Sequence, residues 1–334
     1  MNNNEIEVLD IKSDTQVDDT AINFSIIKAY GEDLTKKKYI TNPAIARDDE
    51  IKKLIIVLLT PDKSGLLIGK AGIGKTAIVE GLAYRIQNND VPDALKGYRI
   101  IKINSTSLLG KITKDGKEEM AITILVRELK SMSKVILFID EVHTLIGGAG
   151  NGPMDLANIL KPALDRGDVK AIGATTTEEY EEYVIRDRAF LRRFDRIDVL
   201  EPDHETTVKI LVGTIPRIAD KTKVNFAYTD YIVEELMDSI VSATSEYKRV
   251  YGLAAMYPDV ALSVLSQAFS NALFDNRSVV NVLDVYNAIK NSKRIYPDAI
   301  IKELKNFKVK FAKLCADDNI ELPDVTIKDI KPED

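Results

Sequence analysis

The sequence predicts an α/β domain with a parallel five-stranded sheet flanked by helices, followed by a smaller all-helical domain. Between about residues 37 and 199, short apolar runs alternate with amphipathic stretches, the rhythm of strands and the helices that cover them. The runs are nearly all apolar, as expected of strands buried on both faces. After Pro202 the strand signal fades and apolar residues recur at helical spacing.

Taken in order, residues 1–20 hold six acidic side chains and one lysine. The stretch 1–27 reads as a disordered acidic tail because it offers little to bury. Strands are expected at 65–68, 99–103, 135–139, 171–174 and 196–200, with a helix over 77–86. Helical periods cover 204–218, 229–244, 258–274 and 283–291. A last helix, starting near Pro297, repeats Ile300, Leu304, Phe307, Phe311 and Leu314 at spacings of four and three. Its other face carries Lys302, Lys305, Lys308, Lys310 and Lys313, either a solvated surface or a basic face for a partner. The closing residues 317–334 are acidic and read as mobile. The expected division is tail 1–27, large α/β domain 28–200, small helical domain 201–296, then C-terminal helix and acidic tail 297–334.

Composition narrows the function classes. A chain of 334 residues has material for two domains of about 150 residues. The 45% apolar and 29% charged residues exclude wholesale disorder. Net charge is −6, from 46 basic and 52 acidic side chains, which makes a nucleic-acid partner unexpected because phosphate binding needs a concentrated basic surface. Cys315 is alone, so no internal disulfide forms, and with His143 and His204 it supplies too few ligands for a thiol-zinc site. The apolar run 54–59 is too short to cross a bilayer, and no basic start precedes an apolar stretch. No membrane association is expected, and the compartment inferred is the cytoplasm.

The chemistry enters at Gly69-Lys70-Ala71-Gly72-Ile73-Gly74-Lys75-Thr76, which matches the G-x-x-x-x-G-K-[ST] phosphate loop. Glycines let backbone N–H groups curl around a phosphate, and the helix that follows through Ala77 points its positive end at the same anion. Lys75 is expected to reach the β- and γ-phosphates, and the Thr76 hydroxyl to coordinate Mg²⁺. The apolar run 135–139 then ends in Asp140-Glu141. Two acids at the end of a buried strand stand at the carboxyl edge of the sheet, where open α/β folds bind ligands. Asp140 is expected to hold the Mg²⁺ shell, directly or through water, and Glu141 to polarise the attacking water. Nucleotide hydrolysis is the chemistry that follows.

Several further segments resemble the first ATPase module of ClpA, ClpB and ClpC. They are Thr76-Ala77-Ile78-Val79-Glu80-Gly81-Leu82-Ala83, Asn89-Asp90-Val91-Pro92-Asp93-Ala94-Leu95-Lys96-Gly97, Phe138-Ile139-Asp140-Glu141-Val142-His143-Thr144-Leu145, Leu160-Lys161-Pro162-Ala163-Leu164, Gly173-Ala174-Thr175-Thr176 and Tyr30-Gly31-Glu32-Asp33-Leu34-Thr35. The resemblance spans about residues 28–270 and is to the Clp-type branch of the AAA+ ATPases, P-loop proteins with a large α/β and a small helical domain. It implies ATP as the nucleotide, with Ile45 in the segment Asn42-Pro43-Ala44-Ile45-Ala46-Arg47 cupping the adenine. It implies that Thr176 is the polar sensor beside the γ-phosphate. It also implies that Arg192 and Arg193 are arginine fingers reaching a neighbouring subunit's nucleotide, and hence a homo-oligomeric ring, by family a hexamer. Without the resemblance, two surface arginines in a charged segment is the plainer reading.

The chain departs from that pattern in two places that matter. Ala46 replaces the usual glycine beside the adenine segment. Where the unfolding Clp proteins place a tyrosine that grips threaded polypeptide, this chain has Thr113, in Gly110-Lys111-Ile112-Thr113-Lys114-Asp115-Gly116-Lys117. Thr113 cannot supply the large apolar contact of an aromatic paddle, and Ile112 supplies an apolar contact only weakly. The segment is then a solvated loop or a pore loop using lysines. The length leaves no room for a second ATPase module, so a ClpP-type peptidase partner is not expected. Three functions follow: an ATP-driven remodeller of protein clients, a nucleotide-controlled assembly switch on one folded partner, and, least supported by the net charge, a nucleic-acid-associated motor.

Overall fold

The computed structural model describes residues 26–114, 117–146, 157–165, 169–252 and 256–330. Residues 1–25 of the expected acidic tail and residues 331–334 lie outside the described residues.

The α/β part is built on strands β1 (Gly31–Asp33), β2 (Ser64–Ile68), β3 (Arg99–Asn104), the hairpin β4 (Lys111–Lys114) and β5 (Lys117–Met120), β6 (Val135–Asp140), β7 (Lys170–Thr175) and β8 (Phe194–Asp198). Outside the hairpin they form one sheet in the order β1-β3-β6-β7-β2-β8. The five long strands are parallel, and their side chains alternate between two cores. Leu66, Ile68, Ile101, Ile103, Leu137 and Ile139 face one, and Leu67, Ile100, Ile136, Phe138, Ile172 and Ala174 the other. That is the period of two expected of strands, and both sets are apolar because helices cover both faces.

The sheet has six strands rather than five. β1 is antiparallel to β3, with Gly31 opposite Ile103 and Asp33 opposite Ile101. Three residues reading Gly-Glu-Asp carry neither β-propensity nor a visible period. The strand exists because β3 offers a free edge and because Arg99 Nε lies 2.8 Å from Asp33 Oδ2. β8 begins two residues earlier than expected, at Phe194. It is the opposite edge strand, so only Phe194 and Ile197 are buried while Arg196 and Asp198 are exposed, and no continuous apolar run marks it.

Helices α1 (Ile26–Tyr30), α2 (Asp48–Leu59), α3 (Lys75–Gln87), α4 (Ala121–Ser131), α5 (Ala157–Asp165), α6 (Thr177–Glu182) and α7 (Arg188–Leu191) pack around this sheet. The remaining helices are α8 (His204–Thr222), α9 (Asp230–Ala243), α10 (Asp259–Phe274), α11 (Val282–Lys290), α12 (Pro297–Lys310), α13 (Ala312–Asp317) and α14 (Ile327–Ile330). They share a separate core that includes Leu211, Leu236, Leu265, Phe269 and Tyr286. This part is not purely helical: β9 (Asn225–Phe226) and β10 (Val279–Val280) form a two-residue parallel pair that ties the ends of α8 and α10. Ile300, Leu304, Phe307 and Phe311 are buried in the same core. On the lysine face, Lys310 Nζ is 2.7 Å from Glu235 Oε2 and 2.8 Å from Asp238 Oδ2, so part of that face is paired within the chain. The closing segment up to residue 330 also differs from the expected mobile tail. Leu322 is buried, and the Tyr286 hydroxyl donates to the Pro323 carbonyl at 2.6 Å.

Candidate nucleotide site

Three strand ends meet at the carboxyl edge of the sheet. The loop after β2 enters α3 through Gly74, whose φ of 101° is open to glycine and strained for any other residue. This turn brings the first N–H groups of a 13-residue helix to face a cavity of about 350 Å³ lined by residues 71–76, Asp140, Glu141, Thr175, Thr176 and Glu179. Lys75 Nζ donates to the carbonyls of Gly69 at 2.6 Å and Lys70 at 3.1 Å. Burial pushes its ammonium below the ordinary lysine value, against the pull of Asp140, Glu179 and Glu178. A desolvated cation beside helix N–H groups is a site that gains from an anion. Ala77 follows within the first turn of α3.

At the end of β6, the Thr76 hydroxyl donates to Asp140 Oδ2 at 3.1 Å. A hydroxyl and a carboxylate make a hard oxygen pair that suits Mg²⁺. Among the described residues no cluster of three or more His, Cys, Asp or Glu could hold a metal. Glu141 sits at φ 53° and ψ 47°, left-handed backbone that a non-glycine residue adopts at a cost of about 1–2 kcal/mol.

The third strand end was only half read from the sequence. Thr176 N-caps α6 in a reciprocal capping box with Glu179. Glu179 Oε2 also accepts from the Thr175 hydroxyl at 3.1 Å and lies 3.0 Å from His143 Nδ1. Burial alone would raise the Glu179 carboxyl, yet the hydrogen bonds from Thr176 and Thr175 and the nearby imidazole hold it below the ordinary value. Thr175, Glu179 and His143 were missed by sequence reasoning. The T-x-x-E spacing Thr176–Glu179 directly after a strand is the signal that marks Glu179. Lys102, 3.3 Å from Asp140 Oδ2, has no such signal.

The remaining expected residues lie elsewhere. Ile45 is half-buried and packs against Gly213 of α8, and Ala46 takes φ 53°, the left-handed turn that the usual glycine favours. Arg192 is exposed and Arg193 half-buried, with Arg193 Nη1 donating to Ala189 O at 3.0 Å. Both precede β8, and Ser64 N donates to Arg193 O at 2.8 Å. They therefore stand at the amino edge of the sheet, a strand length away from the phosphate loop, about 15 Å by strand rise.

Residues 65–201 match the model of the AAA family, ATPases associated with various cellular activities. A probable ATP-dependent Clp protease ATP-binding subunit of Chlamydia pneumoniae is 39% identical over 248 residues, covering 73% of this chain and 28% of its own length. The ClpB chaperone of Aquifex aeolicus is 43% identical over 229 residues, covering 68% and 22%. The chain carries a Clp-type AAA+ ATPase module. Among solved structures, closed-state Hsp104 with ATPγS and FITC casein aligns at a TM-score of 0.70 and 31% identity, over 87% of this chain and 50% of that one. The Hsp104–ADP complex of S. cerevisiae aligns at 0.64 and 35%. The AAA+ module thus spans less than a third of each of these two curated relatives. No described helix is long and apolar enough to cross a membrane.

Proposed function

We propose that the chain works as an ATP-driven protein remodeller of the Clp type, in a cytoplasmic homo-oligomeric ring. One observation carries the reading: the phosphate loop, the Thr76–Asp140 pair at 3.1 Å and the left-handed Glu141 converge on one sheet edge. In this reading the N–H groups of residues 69–77 and Lys75 bind the phosphates, and Ile45 flanks the base. Thr76 and Asp140 hold Mg²⁺, which when bound offsets charge on the β- and γ-phosphates. Glu141 orients and polarises the water, and Thr176, with its neighbour Thr175, contacts the γ-phosphate. Arg192 and Arg193 complete the site of the adjoining subunit, which their distance from their own loop favours. Residues 28–200 and 201–296 form the large and small domains, with 297–330 packed onto the latter.

A second reading, a nucleotide-controlled assembly switch, is favoured by the β4–β5 hairpin. Lys111 and Thr113 are exposed there, while Ile112 is half-buried against the core, so the side chain at the tyrosine position is a small polar one without the apolar area of an aromatic ring. Capture with ATP-loaded Glu141→Gln protein separates the two. Diverse, partly unfolded polypeptides support the remodeller. A single folded partner at fixed stoichiometry supports the switch.

A further inference from the structure

Two buried arginines stand in series between the phosphate loop and the helical part. Arg47, only 6% exposed, donates from Nη2 to the Ile73 carbonyl of the loop at 2.9 Å. Its Nη1 donates to the Leu200 carbonyl at 3.0 Å and to Glu50 Oε1 at 2.8 Å. The next residue, Glu201, accepts through Oε1 from Arg249 Nη1 at 2.8 Å and from Tyr257 N at 2.6 Å. Arg249 is 8% exposed, lies 4.1 Å over the Tyr257 ring and donates from Nε to the Thr244 carbonyl at 2.7 Å. Leu200 and Glu201 are adjacent in the stretch that leads from β8 into α8. The loop carbonyl, Arg47, this peptide link and Arg249 therefore form one path, two sets of charge-assisted hydrogen bonds joined covalently through Leu200–Glu201.

We propose that Arg47 is a positioning residue for the phosphate loop, and that through Leu200–Glu201 and Arg249 it couples the state of that loop to the helical part. This rests on the reading of the loop as the nucleotide site. A guanidinium is suited to the role because its planar fork holds two carbonyls in fixed relative position. Neither bond survives separation of the loop from the linker, and a buried arginine that loses its acceptors is left with unpaired donors. The arrangement is thus closer to two discrete states than to a spring, which is what coupling through a packed network needs. Arg249 does not line the cavity, so an effect of its removal on nucleotide binding is transmitted rather than direct, and the double-mutant cycle decides whether it passes through Arg47.

The test is a double-mutant cycle on the whole protein, with a fluorescent ATP analogue and steady-state ATP turnover as readouts. Arg47→Met and Arg249→Met are each expected to weaken analogue binding by between about 2- and 30-fold. The pair should lose no more than the weaker-binding single variant. Glu201→Gln, which keeps the oxygen acceptor but not the charge, should fall between wild type and Arg249→Met and retains a native melt. Arg47→Lys should restore folding without restoring affinity, because an ammonium does not hold two carbonyls in one plane. Wild-type affinity in Arg249→Met and Glu201→Gln, or strictly multiplicative losses in the pair, would overturn the coupling while leaving the nucleotide site intact. No analogue binding by the wild-type protein would instead remove the reading beneath it.

Discussion

Glu141 is held in left-handed backbone at φ 53°, and its conformational cost is set against its chemistry. The strain amounts to about 1–2 kcal/mol and is tolerated because the turn places a carboxylate in the wall of the cavity. Glu141→Gly is therefore expected to raise thermal stability by about 1 kcal/mol while abolishing turnover, measured by melting and by ATP hydrolysis on the same sample. Glu141→Gln should keep nucleotide binding and slow hydrolysis by about 100-fold or more, since water activation by a positioned base contributes that much. Lys75→Ala, by contrast, should lose binding itself, in an equilibrium titration with nucleotide. These residues were legible in the sequence because the chemistry is written in local spacing: six positions separate Gly69 from Lys75, and Asp140 and Glu141 are consecutive. Arg47 was not legible. Its partners are carbonyls 26 and 153 residues away, and a carbonyl has no residue type to read.

At the scale of elements, α6 and α3 show how local signals meet tertiary ones. Glu179 closes the cap of α6 and also bonds the Thr175 hydroxyl. Its carboxyl is held below the ordinary glutamate value, so the ionised group contributes stability above that ordinary value and loses it as pH falls through the lower, folded one. Glu179→Gln should flatten the loss of stability on acidification below about pH 5, as read by urea melts at neutral and acid pH. In α3, Gly81→Ala adds helix propensity of about 1 kcal/mol. The new Cβ, however, would sit 2.3 Å from Ala44 Cβ and 3.0 Å from Ile51 Cδ1, and overpacking of a filled core costs about 1–3 kcal/mol. The clash is with a methyl that has no rotamer to escape into, so a net loss of stability is expected in chemical denaturation. The five parallel strands were legible because burial on both faces leaves continuous apolar runs. β1 was not, since it is three residues of Gly-Glu-Asp, and at the edge strand β8, buried at only two positions, the strand was legible but its start was placed two residues late. The packed closing segment was hidden for a similar reason: acidic composition conceals the single buried Leu322 that anchors it.

For the whole molecule, the decisive geometry is the placement of Arg192 and Arg193 at the amino edge of a sheet whose phosphate loop lies at the carboxyl edge. A parallel strand of five residues separates them, about 15 Å, beyond the reach of either side chain from its present backbone. If they act on a nucleotide, it is the nucleotide of another copy, and the active unit is an assembly whose interface completes each site. Complementation tests this better than simple dilution. Lys75→Ala subunits keep the arginines but cannot bind nucleotide, while Arg192→Ala/Arg193→Ala subunits keep a binding site but lack the arginines. Each variant alone should be inactive. Mixed in equal amounts and allowed to reassemble, an intact site lies beside an intact pair of arginines in about one quarter of random pairings, so turnover should recover to about a quarter of the wild-type rate. Arginines that served their own subunit would give no recovery at any ratio, because every subunit then carries a defect in its own site.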